Sequence, residues 1–146
     1  MNNMDEIRVA THDDIPMLRG LAEEFASSTE FVKCFDFDSF SKAWHCFIDS
    51  AGVIFILGDF DGMLGAIKYP DINNGQLTSM ECFWYVSPSK RGKGKALLTA
   101  FETWSKENGC STMRMVHLTD SMPERLQTVY KRMGYKAVEV HYVKEL

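Results

Sequence analysis

Apolar positions near the N-terminus change from strand spacing to helix spacing. Residues 7–10 alternate apolar and polar side chains, a pattern typical of a short strand. Thr11 and Asp14 then form a capping-box pattern, which predicts the start of a helix. The apolar residues behind them lie at helical spacing: Ile15, Leu18, Ala22 and Phe25. A second helix is predicted over residues 39–50, because its aromatic and apolar residues share one helical face.

The middle of the chain has the composition and period of β-strands. β-branched and aromatic residues predict a strand over residues 53–60. Asp61-Gly62 is a two-residue hairpin signal, so residues 63–69 should return antiparallel to that strand. A turn-rich loop over residues 70–76 follows, and residues 77–86 are again strand-like.

Strands and helices alternate in the last part of the chain. A helix is predicted over Gly92–Asn108, with Gly109 at its C-terminal end. Residues 112–119 predict a strand, Pro123 opens a last helix, and residues 137–143 predict a closing strand. A hairpin followed by βαβ alternation implies an α/β chain with a mixed sheet and helices on both faces. No linker divides the 146 residues, so we expect one domain, 1–146.

The composition is that of an ordinary folded protein, with 45% hydrophobic and 25% charged residues. No apolar run is long enough to cross a bilayer, and the first residues lack the apolar core of a secretory signal. We therefore expect a soluble, cytoplasmic protein without a membrane partner. The four cysteines form no CxxC pair and have no histidine at zinc-ligand spacing. This pattern favours buried structural thiols and no metal site.

The basic residues are clustered, although the chain as a whole is acidic. The formal net charge of −4 argues against a nucleic-acid partner. The cluster lies between a predicted strand and a predicted helix and comprises Lys90, Arg91, Lys93 and Lys95. At such a junction, unpaired N–H groups and the helix dipole favour an anion. Gly92 and Gly94 would let the backbone approach a phosphate closely.

Two well-known phosphate-binding patterns do not fit this loop. A P-loop requires GxxxxGK[ST], but Gly94-Lys95 is followed by alanine and has a serine five positions upstream. A Rossmann GxGxxG would need a third glycine where Leu97 stands. From the loop alone, a phosphate site and a solvated basic helix cap remain alternatives.

Residues 86–96 nevertheless resemble the acetyl-CoA motif of the GNAT superfamily of N-acyltransferases, V-x-P-x-x-R-G-x-G-x-G/A. Residues 129–135, VYKRMGY, resemble that family's C-terminal L-Y-x-K-x-G-[FY] segment, with valine and arginine replacing leucine and lysine. Residues 7–21 resemble its first strand and helix, so the resemblance covers nearly the whole chain. It implies a mixed, mostly antiparallel central sheet of six to seven strands and acetyl transfer from acetyl-CoA to an amine.

The resemblance also implies roles for individual residues. Tyr130 matches the tyrosine that often protonates the leaving thiolate; its structural alternative is a place in the apolar stripe of the last helix. Glu81 stands where the family often carries a general base, and its structural alternative is an exposed strand residue. His117, on the next predicted strand, is the alternative base. The cofactor-binding residues implied are Tyr85, Val86, Arg91, Gly92, Lys93, Gly94, Lys95 and Ala96.

The motifs leave the acceptor amine open. A small-molecule primary amine is the leading hypothesis, and a protein N-terminus or lysine is the alternative. A non-catalytic CoA-binding module is a further alternative. Specificity is expected in the first two helices and in the loop over residues 70–76, because the motifs do not constrain them. The last predicted strand, residues 137–143, offers a sheet edge through which two copies could form a homodimer.

Overall fold

The computed structural model describes residues 6–29, 35–118 and 123–146. Within these ranges there are five strands: β1 (Ile7–Val9), β2 (Gly52–Leu57), β3 (Gly62–Pro70), β4 (Leu77–Val86) and β5 (Thr112–Arg114). The same ranges contain four α-helices: α1 (Arg19–Ser28), α2 (Phe37–Asp49), α3 (Lys95–Glu107) and α4 (Pro123–Arg132). The chain divides into two compact units, with the boundary between Val116 and His117.

The first unit is built on one sheet whose strands lie in chain order, β1-β2-β3-β4-β5. The pairings among β1, β2, β3 and β4 are antiparallel, whereas β5 lies parallel to β4. The mixed, mostly antiparallel sheet expected from the sequence is therefore confirmed. The five strands in the described part of the chain correct the expected number of six to seven.

Helices cover both faces of this sheet, as the sequence pattern predicted. Ile54 and Ile56 of β2 pack in one cluster with residues of α1 and α2. Phe55 points to the opposite face of β2, and its ring centroid lies 6.4 Å from that of Trp104 in α3. α1 and α2 thus cover one face and α3 covers the other. The α3 residues fully buried against the sheet are Leu97, Leu98 and Phe101.

The turn between β2 and β3 is longer than the predicted Asp61-Gly62 hairpin. Gly62 is already the first residue of β3 and pairs with Leu57, so the four residues between them form the turn. Gly58 and Phe60 have positive φ angles of 55° and 57°. The Asp61 N–H closes the turn by donating to the Leu57 carbonyl at 2.9 Å. The strand predicted to reach Phe60 therefore ends at Leu57.

The predicted helices form with shifted starts. The chain after the Thr11 cap makes two 3₁₀ turns, His12–Asp14 and Pro16–Leu18, and becomes α-helical only at Arg19. Pro16 has no N–H to donate into an α-helix, which suits a 3₁₀ start. α3 begins at Lys95 rather than at Gly92. Its end agrees with the prediction, because Gly109 follows it with a φ of 76°.

The C-terminal part of the chain departs most from its predicted strands. β5 covers three residues instead of residues 112–119, and residue 119 lies outside the described ranges. Residues 137–143 form no strand, so the predicted closing strand is wrong for this structure. Alternating apolar residues mark a segment able to pair, but a strand also needs a neighbouring strand. The apolar residues of this segment are instead exposed: Val138, Val140, Tyr142 and Val143.

Candidate active site

β4 changes its surroundings at a β-bulge in the middle of the strand. The register with β3 steps by one between Glu81 and Phe83, which makes Cys82 the extra residue. Before the bulge, β4 lies between β3 and β5, and the parallel pairing with β5 covers residues 78–80. From residue 81 to residue 86, β3 is its only sheet neighbour in the described part of the chain. This half of β4 therefore presents a strand edge.

An aromatic column packs on the bulge. The Phe83 ring lies over Gly65 of β3, so closely that a Cβ at position 65 would stand 2.1 Å from a ring atom. Trp44 of α2 stacks on Phe83 with ring centroids 4.5 Å apart and planes 8° apart. Phe40 follows, 4.2 Å from the Trp44 ring. A glycine inside a strand signals such a close approach, and Gly65 is therefore the sequence feature from which the bulge could have been found.

Glu81 is the carboxylate beside the bulge, and it is buried, with 6% of its surface exposed. Burial raises the pKa of its carboxyl to about 8, and a hydrogen bond from the Val116 backbone lowers that pKa only in part. A carboxyl with this pKa takes up and releases a proton near neutral pH, as a general base must. The exposed-strand alternative for Glu81 does not describe this structure.

The basic loop folds back against the end of β4. Its first residue, Ser87, is held by an N–H bond to the Asp61 carbonyl at 2.9 Å, and a 3₁₀ turn over Pro88–Lys90 follows. A Cβ on Gly94 would lie 3.2 Å from the Val86 side chain and 3.4 Å from the Trp84 ring. A larger residue at position 94 would therefore push the loop away from the strand.

Three backbone N–H groups of this loop point to an anion site. Gly92 has a φ of 101°, a conformation that glycine adopts at little cost. Among the described residues, no hydrogen-bond acceptor is found for the N–H groups of Gly92, Gly94 and Lys95. The N–H of Ala96, by contrast, donates to the Lys93 carbonyl at 3.2 Å. Because α3 starts at Lys95, the N–H groups that could donate to an anion are those of residues 92, 94 and 95.

The side chains of the loop add positive charge at the same place. The Arg91 Nε donates to the Val86 carbonyl at 3.4 Å, and its guanidinium lies 5.9 Å from the centroid of the Tyr85 ring. Tyr85 is buried, and its ring packs against Phe25 of α1 at 5.8 Å. Of the two strand residues predicted to bind cofactor, Tyr85 therefore directs its side chain to α1. Its backbone lies on the strand edge with that of Val86.

Tyr130 belongs to the second unit, where it lies near the end of α4 with 8% of its surface exposed. Its ring lies 5.5 Å from that of Tyr135, and the Tyr135 N–H donates to the Tyr130 carbonyl at 2.9 Å. Gly134, with a φ of 86°, ends the helix between them. The other candidate base, His117, is a half-buried residue at the start of this unit.

A cleft of about 750 Å³ opens beside the start of the basic loop. It is lined by residues of α1 and of the β4 end: Gly20, Glu23, Glu24, Ser27, Ser28, Tyr85 and Pro88. The first helix thus contributes to a cleft, and its expected role in acceptor specificity stays a prediction. The loop over residues 70–76 is instead organised around Asp71, a buried carboxylate paired with Arg114 at 2.5 Å.

The cysteines differ from their predicted burial. Cys46 and Cys82 are exposed and Cys110 is half-buried, whereas Cys34 lies outside the described residues. Although the residue Cys82 is exposed as a whole, its sulfur is partly enclosed by protein atoms. This burial is the main reason why the pKa of the thiol is raised to about 11. Within the described ranges, no group of three or more histidine, cysteine or acidic side chains could hold a metal ion. No helix of those ranges is long and apolar enough to span a membrane.

Solved structures of other proteins share this fold, and three of them follow. An acetyltransferase from Trypanosoma brucei is 21% identical, with a TM-score of 0.74, and the match covers 97% of this chain and 99% of that one. A ribosomal-protein-alanine N-acetyltransferase from Brucella melitensis is 18% identical, with a TM-score of 0.74 and the same coverage, 97% and 99%. An aminoglycoside acetyltransferase from an uncultured soil metagenomic sample is 16% identical, with a TM-score of 0.75 over 99% and 98%.

The family match is a property of the sequence itself. No significant match is found among curated proteins. Residues 17–135, however, match the model of the acetyltransferase (GNAT) family. That range includes the β4 edge, the basic loop, α3 and Tyr130. The chain therefore belongs to the GNAT family of acetyltransferases.

Proposed function

We propose that the protein is an acetyl-CoA-dependent N-acetyltransferase. One observation carries the proposal: the open edge of β4 runs directly into a loop with three available N–H groups and a cluster of cations. A chain that contains amides, such as the pantetheine arm of acetyl-CoA, can hydrogen-bond to a strand edge like an added strand. Its pyrophosphate would then meet the amides and basic side chains at the end of that strand.

The residues present fit this substrate. The backbone of Tyr85 and Val86 would hold the pantetheine arm, since both lie on the open part of β4. The N–H groups of Gly92, Gly94 and Lys95 would bind phosphate oxygens. Arg91 and Lys93 would neutralise their charge. Ala96 contributes a small side chain in the first turn of α3 rather than an available amide.

The proposed chemistry is direct transfer. The amine nitrogen attacks the thioester carbonyl, the carbon–sulfur bond breaks, and the products are an acetamide and CoA thiol. Glu81 accepts a proton from the ammonium, directly or through water, for which a pKa of about 8 is suitable. Tyr130 gives a proton to the leaving thiolate, and the second proton that the nitrogen loses as the amide forms restores the phenol. Phenol and thiol pKa values differ by about two units, so this transfer is close to balanced. The role of Tyr130 rests on its place in the family motif.

The acceptor is proposed to be a primary amine of a small molecule. The cleft beside the loop has the volume of a small-ligand site, within the usual range of about 300–1,000 Å³. It includes two glutamates, and acidic walls attract an ammonium group. The aminoglycoside acetyltransferase from soil was solved in complex with sisomicin. The Brucella relative, named for ribosomal-protein alanine, favours a protein N-terminus as the second candidate.

We also propose that the two units belong to one domain and that the enzyme is cytoplasmic. The family match runs across the boundary at residues 116 and 117, which supports a single domain. Acetyl-CoA is an intracellular metabolite, which favours a cytoplasmic enzyme.

The first test is thermal unfolding with acetyl-CoA, with ATP and NAD as polyanion controls. At about a hundred times its Kd, a ligand stabilises the fold by roughly 2.7 kcal/mol, which is a shift of several degrees for a chain of this size. A shift with acetyl-CoA alone supports the proposal. Equal shifts with all three ligands would reduce the loop to a general basic patch.

The second test separates catalysis from binding. A panel of small amines and short peptides is incubated with acetyl-CoA, and release of CoA thiol is measured. Release with an amine identifies an enzyme and its acceptor class. Binding of acetyl-CoA without release for any amine would favour a non-catalytic CoA-binding module. For an active pair, Tyr130→Phe should lower kcat by about tenfold or more, and full kcat in that variant would remove Tyr130 from the mechanism.

A further inference from the structure

Glu24 of α1 reaches across to the residues where β4 becomes the basic loop. Its Oε2 accepts a hydrogen bond from the Ser87 hydroxyl at 2.9 Å. The charge of the same carboxylate also acts on the Tyr85 hydroxyl, whose pKa it raises. Tyr85 and Ser87 are the last buried residue of β4 and the first residue of the loop. One carboxylate thus acts on the chain on both sides of Val86.

This group of residues continues to Arg91. Its guanidinium lies over the Tyr85 ring, 5.9 Å from the ring centroid, and its Nε donates to the Val86 carbonyl at 3.4 Å. The pKa of Tyr85 is raised, first by burial and then by the charge of Glu24, while Arg91 lowers it. Glu24, Tyr85 and Arg91 therefore lie side by side, from α1 to the basic loop.

Glu24 contributes little to the packing of the fold. It is exposed on α1, whereas the residues that anchor this helix to the sheet are its neighbours Leu21 and Ala22. Removing an exposed carboxylate usually changes the stability of a protein only slightly. The contact of Glu24 with the loop therefore has another consequence, which is the orientation of Ser87.

We infer that Glu24 is a positioning residue for acyl-CoA binding, because its carboxylate fixes Ser87 at the end of β4, next to the Val86 carbonyl that binds Arg91. This inference rests on the proposed function, in which Arg91 and the loop receive the phosphates of CoA. Without Glu24, Arg91 and the loop would lose part of their order before the substrate arrives. Binding would then include the cost of ordering them.

The test measures acetyl-CoA affinity in Glu24→Gln by isothermal titration calorimetry, without acceptor. Charge-assisted hydrogen bonds are strong, but exposure weakens them, so we expect a loss of about five- to twentyfold in affinity. The matched control is Glu23→Gln. It removes the same charge from the next residue of the same helix, where the carboxylate is paired with Arg19 at 2.7 Å. Glu23→Gln should keep the wild-type affinity for acetyl-CoA.

Two further measurements distinguish positioning from a general effect on the fold. Ser87→Ala should weaken binding in the wild type but have much less effect in Glu24→Gln, because both remove the same hydrogen bond. In steady-state assays at saturating acceptor amine, Glu24→Gln should raise the KM for acetyl-CoA by a larger factor than it lowers kcat. The midpoint of thermal unfolding without ligand should stay within about 2 °C of the wild type.

The outcomes separate the inference from the proposed function. If the wild type binds acetyl-CoA and Glu24→Gln binds it equally well, the positioning role is wrong and the proposed function stands. Equal losses in Glu23→Gln and Glu24→Gln would also overturn it, since the loss would then not depend on the bond between Glu24 and Ser87. If the wild type binds no acetyl-CoA, the proposed function fails and this inference fails with it.

Discussion

The two halves of β4 have different surroundings, although they are consecutive parts of one strand. Before the bulge, the strand is enclosed by β3 and β5, and its polar side chains are buried and paired. Thr78 and Ser79 are 1% and 0% exposed. The Thr78 hydroxyl lies 2.8 Å from that of Thr112, and the Ser79 hydroxyl lies 2.7 Å from that of Ser105. This half has its hydrogen bonds made within the protein.

Beyond the bulge, β4 still pairs with β3 but has no second neighbouring strand in the described sheet. Its residues are mostly half-buried, and it ends in the loop with available N–H groups. Glu81 lies at the boundary between the two halves and is buried like the first half. The bulge thus separates a half that is paired on both sides from a half whose second edge is open in the described sheet, where the proposed substrate would bind. Substitutions in the two halves should therefore differ in what they change.

The largest expected effect concerns Glu81 and the pH dependence of stability. Its pKa of about 8 in the folded state exceeds the ordinary value of 4.5, so the folded state holds a proton that the unfolded state has lost. Between those two pH values, stability must fall as pH rises, by about 1.4 kcal/mol per pH unit. Glu81→Gln keeps the shape but does not titrate. Its stability relative to wild type should therefore rise by about 3 kcal/mol from pH 5 to pH 8.

Urea unfolding at several pH values measures this difference. Glu102→Gln, which removes an exposed carboxylate paired with Lys106 in α3, is the control and should give a curve parallel to that of the wild type. Parallel curves for Glu81→Gln as well would mean that Glu81 titrates as an ordinary carboxyl. Its candidacy as a base at the bulge would then lose its physical support.

The second effect is on catalysis, at the same residue. If Glu81 is the base, Glu81→Gln should lower kcat/KM by about a hundredfold near pH 8, since general bases contribute about 10² to 10⁴. The wild-type kcat/KM should rise with pH up to about 8, because only the deprotonated carboxylate accepts a proton. The pH–rate profile of both proteins checks this. An unchanged profile in Glu81→Gln, with a loss of activity in His117→Gln, would transfer the role to His117.

The third effect tests the bulge itself. Gly65→Ala would place a Cβ against the Phe83 ring, which Trp44 holds from the other side, so relief requires movement of the column. Overpacking of this kind costs about 1–3 kcal/mol. Gly20→Ala in α1 is the matched substitution, because nothing lies within 4 Å of its Cβ. An alanine there should stabilise the helix by about 0.5–1 kcal/mol. Chemical unfolding measures whether each variant is less or more stable than the wild type. Equal changes in unfolding free energy would show that the aromatic column accommodates a methyl group.

The sequence predicted the elements whose hydrophobic pattern agrees with their contacts. β4 has the predicted bounds, and α3 ends before Gly109 as predicted. The basic loop was also found from sequence, because glycines, cations and a helix start lie together in consecutive positions. The roles of Tyr130 and Glu81 came from the family motif rather than from pattern, and they remain predictions.

Other features could not be found by local reasoning. The start of α3 at Lys95 depends on the loop folding back on Val86 and Trp84, a tertiary contact. The link between Glu24 and Ser87 joins residues 63 positions apart, for which a single sequence gives no indication. The segment over residues 137–143 has a strand pattern, but a pattern does not supply the second strand that pairing needs. Local signals thus predict what a segment is able to form, and tertiary contacts decide whether it forms.

The smallest effect lies in the first half of β4 and should leave catalysis unchanged. The Ser105 hydroxyl donates to the Phe101 carbonyl at 2.9 Å, so the Ser79 hydroxyl must be the donor to Ser105. Ser105→Ala therefore strands a buried donor, whereas Ser79→Ala removes it. We expect Ser105→Ala to cost about 1–2 kcal/mol and Ser79→Ala about 0.5–1 kcal/mol.

The double variant decides whether this pair acts as a unit of the scaffold. With both hydroxyls removed, no buried donor lacks an acceptor. The decrease in unfolding free energy should then be clearly smaller than the sum of the decreases in the two single variants. The unfolding free energies of the three variants give the coupling energy between the two hydroxyls. Under conditions in which all variants are fully folded, their kcat/KM should match that of the wild type. A drop in kcat/KM in Ser79→Ala without a drop in stability would mean that the bulge does not separate the two halves. The structural half of β4 would then also control the geometry around Glu81, two residues further along the strand.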